Sequence, residues 1–229
     1  MEQVKQFMTA FNQQTYDSVN IESLDNLNLV NLRYNLINEE FNELLDGIKL
    51  YKTDKYNGMR EIADALGDLL VVTYGTKLSF GLTHCDENKY LLYLGNYFNC
   101  DINNYYVIQM VDELTNCVEK LKYYLEIKNI NLISYYLNNI IKLCYDISYM
   151  IGINIKYVFD NIHESNMTKL CKSELEAQET VNWYKENDSK RYPDPYYELS
   201  NDGIHWIVKN KSSGKVLKSI NYKEPDFVL

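Results

Sequence analysis

The sequence predicts an all-α protein with a four-helix-bundle-like core and an additional C-terminal β-hairpin. All three prolines lie after residue 192, so the strongest helix breaker is missing from the first four fifths of the chain. Apolar residues recur at helical spacing through those four fifths. Further on, two runs of Ile, Val, Trp and Leu flank a Ser-Ser-Gly turn between residues 204 and 220, which is typical of a β-hairpin.

These patterns place each element along the chain. We predict helices over residues 3–15, 27–50, 58–80, 104–127, 131–151 and 154–185, the last being one helix or two. Breaks are predicted at Asn57-Gly58, Gly81 and Gly152. We expect a helical domain over residues 1–185, and a linker with a hairpin tail over residues 186–229. Because a lone hairpin is marginally stable in water, the tail is expected to pack on the bundle.

Composition excludes some classes of partner. The 229 residues carry a net charge of −9, so a polyphosphate chain would be repelled and no nucleic-acid polymer is expected to bind. The five cysteines have no paired spacing and are odd in number, which indicates a reducing, cytoplasmic setting. No run of about 18 apolar residues occurs and the start has no basic segment before an apolar one, so no membrane is expected as a partner.

Carboxylates border the apolar stripe of the second predicted helix. Ile37, Phe41, Leu44 and Ile48 fall within a narrow arc when about 100° is counted per residue. Roughly 60° from the centre of that arc lies Glu40, with Glu43 at roughly 120° and Glu39 a little further round. This helix therefore presents acids beside the side that it buries.

The next helix repeats the arrangement. Its buried arc contains Ile62, Leu66, Leu69 and Thr73. An acidic stripe lies next to that arc and consists of Glu61, Asp64 and Asp68. If the two helices pack antiparallel through the turn near residues 56–58, the two acidic stripes can meet.

Converging carboxylates repel one another unless a cation lies between them. Oxygen ligands without His or Cys favour Mg²⁺, with Mn²⁺ as a possible substitute. A solvated acidic helix face is the alternative interpretation. A di-iron bundle would need Glu-x-x-His on two helices, and none of His84, His163 and His205 has a Glu three residues before it.

Two short motifs carry a family resemblance. EEFNE at residues 39–43 and EIAD at 61–64 match the EExxE…ExxD pattern of the all-α nucleoside triphosphate pyrophosphohydrolases, the superfamily that includes MazG and the phosphoribosyl-ATP pyrophosphohydrolases. RYNLINEE, EIADALGDLLVVTYGTKLSFG, IHESNMTKL and GKVLKSINYKEPDF resemble, in this order, the phosphoribosyl-ATP pyrophosphohydrolase-like branch of phages, other viruses and bacteria. The resemblance implies a MazG-type core, and a host cytoplasm as the location if the chain is viral.

The resemblance also implies roles for single residues. It makes the metal ligands Glu40, Glu43, Glu61 and Asp64. Glu39 resembles the catalytic residue that orients or deprotonates the attacking water, and Asp68 is either a further metal ligand or a partner of one. SNMTK is interpreted as a phosphate clamp, in which Asn166 and Lys169 share one helical face at i, i+3 spacing. Its alternative is a plain helix surface with a Ser cap.

Lysines of the predicted hairpin give the acidic chain a local basic patch. Lys215 and Lys218 are favoured among them as phosphate ligands because they belong to the family-like GKVLK. The same lysines are also explained as charges that keep an edge strand soluble, a common use of lysine.

The sequence thus predicts a Mg²⁺-dependent nucleoside triphosphate pyrophosphohydrolase that converts a (deoxy)nucleoside triphosphate into the monophosphate and pyrophosphate in nucleotide pool sanitation. Two alternatives remain: a phosphoribosyl-ATP pyrophosphohydrolase, and a non-catalytic helical assembly module whose acids are a solvated face. Because bundles of this family usually assemble, a homodimer or higher homo-oligomer is expected.

Overall fold

The computed structural model describes residues 1–83, 98 and 100–226. The helices of these residues are α1 Glu2–Ala10, α2 Ile21–Asp25, α3 Leu27–Tyr51, α4 Lys55–Phe80, α5 Tyr105–Glu126, α6 Ile130–Met150, α7 Ile155–Met167 and α8 Glu174–Asn187. The strands are β1 Pro195–Leu199 and β2 Trp206–Asn210. The predicted fold class, an all-α core with a small C-terminal hairpin, is confirmed. No helix among the described residues is long and apolar enough to cross a membrane.

Side-chain caps explain where the long helices begin. The side chains of Asn26, Asp54, Asn104 and Asn129 accept hydrogen bonds from backbone N–H groups in the first turns of α3, α4, α5 and α6. The break predicted at Asn57-Gly58 is wrong, because the Asp54 cap starts α4 earlier and the helix continues through both residues. Gly81 ends α4 in the left-handed conformation, as expected of a glycine there.

The described residues form two compact units. We call Tyr16–Asp160 the central unit, and Met1–Thr15 together with Asn161–Asp226 the terminal unit. In the terminal unit, α8 packs against both strands of the hairpin. The predicted division into residues 1–185 and 186–229 stays a prediction. Residues 227–229 of the predicted tail lie outside the described residues.

The main helices of the central unit form two helical hairpins, α3–α4 and α5–α6, that pack through α3 against α5 and α4 against α6, and α2 packs against α3 and α4. The turn of each hairpin lies next to the start of the other. Lys55 at the first turn is 3.5 Å from Asp101, which precedes α5, and Lys128 at the second turn forms an ion pair with Asp25, which precedes α3. Helix α5 therefore starts at the end of the bundle where α3 finishes, so neighbouring helices are antiparallel.

In the terminal unit, β1 and β2 pair antiparallel with Pro195 opposite Asn210 and Leu199 opposite Trp206. Val208, Tyr184 and Leu217 are buried in the apolar cluster between the hairpin and α8. This cluster positions the segment that follows β2.

The predicted arms of the hairpin differ from the observed ones. The first strand comes from the stretch predicted as linker, and Pro195 is tolerated there because it opens the strand. The predicted second arm forms a single bridge, Val216 to Lys209, instead of a full strand. Asp202 and Gly203 lie in the turn between the strands, and the φ of Gly203 is +71°. The Asp-Gly pair was therefore the sequence signal for the turn of this hairpin.

Other predicted helix boundaries also differ from the observed ones. Helix α1 ends at Ala10 instead of residue 15, and α2 was not predicted. The helix expected over 154–185 is two, since Cys171 pairs with Trp206 in a bridge and Ser173 caps α8. The extended backbone of that bridge cannot belong to a helix.

Candidate functional site

Two glycines set how closely α3 and α4 approach. A Cβ placed on Gly47 would lie 3.0 Å from the Ile62 backbone nitrogen, and one on Gly58 would lie 2.3 Å from Tyr51 Cα. Four residues forward along α3, from 47 to 51, correspond to four residues back along α4, from 62 to 58. The helices are therefore antiparallel in a defined register.

This register carries the acids of α3 to the level of those on α4. Continued towards the start of α3, it places Glu43 between the levels of Asp64 and Asp68. Glu40 is level with the residue that follows Asp68. The meeting of the two acidic stripes that the sequence predicts is thus compatible with the backbone geometry.

Glu61 lies about one helical turn before Asp64 on α4. Its Cβ is 3.2 Å from the position that a Cβ on Gly47 would take, and Gly47 follows Glu43 by one helical turn. Gly47 therefore permits the close approach of the α4 backbone beside the α3 acids.

Solvent exposure separates the acids into two groups. Glu43 and Glu61 are exposed, whereas Glu39, Glu40, Asp64 and Asp68 are half-buried. The Asp64 Oδ1 atom itself is enclosed, with less than 1 Å² accessible to solvent. The site thus combines solvent access for a ligand with at least one carboxylate oxygen held away from bulk water.

The donor set suits a hard divalent cation, since it consists of carboxylate oxygens. Within residues 1–83, 98 and 100–226, however, no three His, Cys, Asp or Glu side chains are gathered in a metal-binding arrangement. The residue types and the helix register fit a Mg²⁺ site, and the side chains would have to rotate to close it.

Asn166 and Lys169, the predicted phosphate clamp, lie in the terminal unit. Asn166 is buried in the last turn of α7, whereas Lys169 follows the end of the helix. The Lys169 N–H donates to the Asn166 carbonyl at 3.1 Å, a bond between residues three apart. A bond of this 3₁₀ type often closes the last turn of an α-helix, and the shared side of the two side chains stays a prediction.

The predicted hairpin lysines lie after β2, also in the terminal unit. Lys215 is half-buried, and its carbonyl accepts from the Asn210 N–H at 2.9 Å. The Lys218 ammonium lies 4.4 Å from the ring centroid of Tyr222, and the Lys169 ammonium lies 5.8 Å from the same centroid. The fold therefore brings Lys169 and Lys218 to one aromatic ring.

No role is predicted for Tyr222 from the sequence. Its only signal there was its place in the family-like segment SINYKEPDF, close after Lys218. Contacts between residues far apart in the chain cannot be derived from spacing, and the approach of Lys169 to Tyr222 is one of them.

The burial of two cationic side chains in the central unit was not predicted from the sequence. Arg33 is 6% exposed, and burial lowers its pKa to about 10, so it stays charged at neutral pH. Lys77 is fully buried and donates to Asn138 Oδ1 on α6. Its place within the apolar run YGTKLSF was the signal for its burial.

Three buried cysteines of the described residues are unsuited to act as nucleophiles, because the pKa of each thiol is raised. Burial raises the pKa of Cys117 and of Cys171 to about 11, and raises that of Cys144 further. These thiols are protonated at neutral pH, and a thiol is a poor nucleophile compared with its thiolate.

The chain resembles known proteins in two comparisons. A family model described as phosphoribosyl-ATP pyrophosphohydrolase matches residues 4–87, which include the six acids of α3 and α4 discussed in this subsection. Uncharacterized protein L479 of Acanthamoeba polyphaga mimivirus is 34% identical over 215 residues, covering 89% of this chain and 83% of that protein. The chain belongs to the phosphoribosyl-ATP pyrophosphohydrolase family. No solved structure matches it.

Membership of the phosphoribosyl-ATP pyrophosphohydrolase family supports a pyrophosphohydrolase-type activity on a nucleotide, and the viral relative supports the viral-type branch. The matched range contains α3 and α4 but ends before α7. The family match therefore bears on the carboxylates, whereas Asn166, Lys169, Lys215 and Lys218 depend on the later motifs.

Proposed function

We propose that the chain is a Mg²⁺-dependent nucleoside triphosphate pyrophosphohydrolase that converts a (deoxy)nucleoside triphosphate into the monophosphate and pyrophosphate in nucleotide pool sanitation. The observation that carries the proposal is the α3–α4 register, which sets Glu40 and Glu43 level with the acids of α4. Family membership supports the reaction class.

The proposal assigns metal binding to Glu40, Glu43, Glu61 and Asp64, with Asp68 as a further ligand or a partner of one. Bound Mg²⁺, or Mn²⁺ in its place, would neutralise phosphate charge and lower the pKa of a coordinated water. The enclosed Oδ1 of Asp64 favours cation binding, because electrostatic attraction is stronger away from bulk water.

Glu39 is assigned the proton transfer. It is half-buried on α3, next to the proposed ligand Glu40, and a carboxylate within hydrogen-bond reach of water can take its proton during attack on the phosphoanhydride. Asn166, Lys169, Lys215 and Lys218 are assigned phosphate binding through amide and ammonium donors.

The test is pyrophosphate release from a panel of canonical and modified nucleoside triphosphates, with Mg²⁺, with Mn²⁺ and with chelator. We expect chelator-sensitive release from a few substrates. Glu43→Gln and Asp64→Asn should each lower the rate by roughly 10²-fold or more, because each removes a ligand charge while keeping side-chain size.

Asp46→Asn is the matched control. Asp46 lies on α3 near Glu43, is 73% exposed, and pairs with Lys49 at 2.7 Å on the surface. Its loss changes the net charge by the same amount and should leave release unchanged. Release that survived both Glu43→Gln and Asp64→Asn would refute the metal-site assignment.

The description of the matching family favours phosphoribosyl-ATP as a second candidate substrate. Including it in the panel decides between the two, since the preferred substrate is the one with the higher kcat/KM. Light scattering of the same preparation would measure the expected homodimer or higher oligomer.

A further inference from the structure

Two lysines of the terminal unit share one aromatic ring. The ammonium groups of Lys218 and Lys169 lie 4.4 Å and 5.8 Å from the Tyr222 ring centroid. Both distances are within the range of about 6 Å in which a cation is attracted by the ring. Tyr222 therefore brings together two positive charges from segments that are far apart in the sequence.

The ring is held by contacts with the end of α7. The buried Ser165 hydroxyl lies 2.8 Å from Tyr222 Oη and donates to the Lys223 carbonyl at 2.8 Å. The Lys223 N–H in turn donates to Thr168 Oγ1 at 2.9 Å. Backbone and side chain of the 222–223 segment are thus both tied to α7, so the ring has a defined place.

Two ammonium groups at one ring repel each other, and the ring offsets only part of that repulsion. The Lys218 ammonium also forms an ion pair with a carboxylate, because Glu224 Oε1 lies 2.8 Å from Lys218 Nζ. That pair is exposed, with 49% of the lysine side chain and 69% of the glutamate side chain accessible. Exposed pairs contribute little to stability, so a more highly charged anion can displace the glutamate.

We propose that Lys169, Lys218 and Tyr222 form a phosphate cradle, and that Glu224 occupies Lys218 until a phosphate group displaces it. The identity of the ligand, a triphosphate substrate or the pyrophosphate product, depends on the proposed function. The inference adds Tyr222 as the positioning residue of the two lysines and Glu224 as a competing anion.

The experiment is calorimetric titration of the full chain with inorganic pyrophosphate, at low salt and with chelator, so that the carboxylate site is not involved. Tyr222→Leu should weaken binding about tenfold because both cation–ring contacts are lost. Tyr222→Phe keeps the ring and should stay within about twofold of wild type. Glu224→Gln should tighten binding about threefold, since the competing charge is gone.

Glu198→Gln is the matched control. Glu198 also pairs with a lysine of the terminal unit, Lys209, at 2.6 Å, so its change removes the same charge from an ion pair away from the ring. Pyrophosphate binding should be unchanged in this variant. Equal binding by Glu224→Gln and Glu198→Gln would overturn the competing role of Glu224, and this comparison holds even if Tyr222→Leu folds poorly.

Equal binding of pyrophosphate by wild type, Tyr222→Phe and a folded Tyr222→Leu would overturn the cradle itself. Asp64→Asn separates the two proposals, because it should abolish turnover and leave metal-free pyrophosphate binding intact. If the wild type bound pyrophosphate in the cradle but hydrolysed no substrate, the proposed function would be wrong and the cradle proposal would be unaffected.

Discussion

Glycine at position 58 is required by contact with Tyr51 rather than by backbone conformation. Helix propensity alone favours alanine over glycine by about 1 kcal/mol. A Cβ at this position would lie 2.3 Å from Tyr51 Cα, which is backbone and cannot rotate away. We expect Gly58→Ala to lower the free energy of unfolding by about 3 kcal/mol in urea titrations followed by circular dichroism.

Gly203→Ala is the comparison for that prediction. No atom lies within 4 Å of a Cβ built there, but φ is +71°, so only backbone strain of about 1–2 kcal/mol is expected. A Gly58→Ala variant as stable as wild type would show that α3 and α4 do not approach as closely as described.

At the residue scale, periodicity predicts on which side of its helix each acid lies. Whether their side chains close on a metal stays a prediction. Periodicity could not reveal the partners of Tyr222 and Lys77, because these partners lie on other segments and are reached only through the folded chain.

The cap of α4 makes the helix start sensitive to acid. The Asp54 carboxylate accepts from the Asn57 N–H at 3.1 Å and from its side-chain amide at 2.6 Å, and these bonds lower the pKa of Asp54. Because the pKa is lowered in the folded state, the stabilisation is present at neutral pH. It is lost as pH falls below about 4 through the folded pKa.

We therefore expect Asp54→Ala to be less stable than wild type at pH 7, and the difference in free energy of unfolding to shrink below about pH 4. Denaturant titrations of both proteins over a pH series would measure this. Acid effects of the other carboxylates are common to both proteins and cancel in the difference. A difference that stayed constant down to about pH 2.5 would contradict the role of the ionised cap.

At the element scale, helices α3 to α6 are close to their predicted ranges because each combines a long apolar stripe with an Asn or Asp cap. The hairpin arms could not be assigned in the same way. Pro195 lowered the strand tendency of β1, and the pairing of β2 with the earlier segment depends on the buried cluster around Val208.

At the scale of the whole molecule, a bound divalent cation should raise the melting temperature. A ligand that binds only the folded chain stabilises it by about 1.4 kcal/mol at ten times its Kd, which is a few degrees for a domain of this size. We expect Mg²⁺ to raise the melting temperature of wild type and of Asp46→Asn, but not of Asp64→Asn. The measurement is calorimetry with Mg²⁺ and with chelator.

The same scan has an internal check. The melting temperatures with chelator separate the effect of each substitution from the effect of the metal. If Mg²⁺ shifted none of the proteins and no substrate were hydrolysed, the acids of α3 and α4 would be a solvated face and the chain a helical assembly module.

In the central unit, the turn of each helical hairpin lies next to the start of the other hairpin. The two hairpins nevertheless differ in where they carry acidic residues. Helix α6 carries no acid before Asp146, which pairs with Lys142, whereas α4 carries Glu61, Asp64 and Asp68. If two identical hairpins came from separate copies of one chain, every substitution would occur in both hairpins. Here each hairpin has its own stretch of sequence, so a substitution in α5–α6 leaves the acids of α3–α4 unchanged.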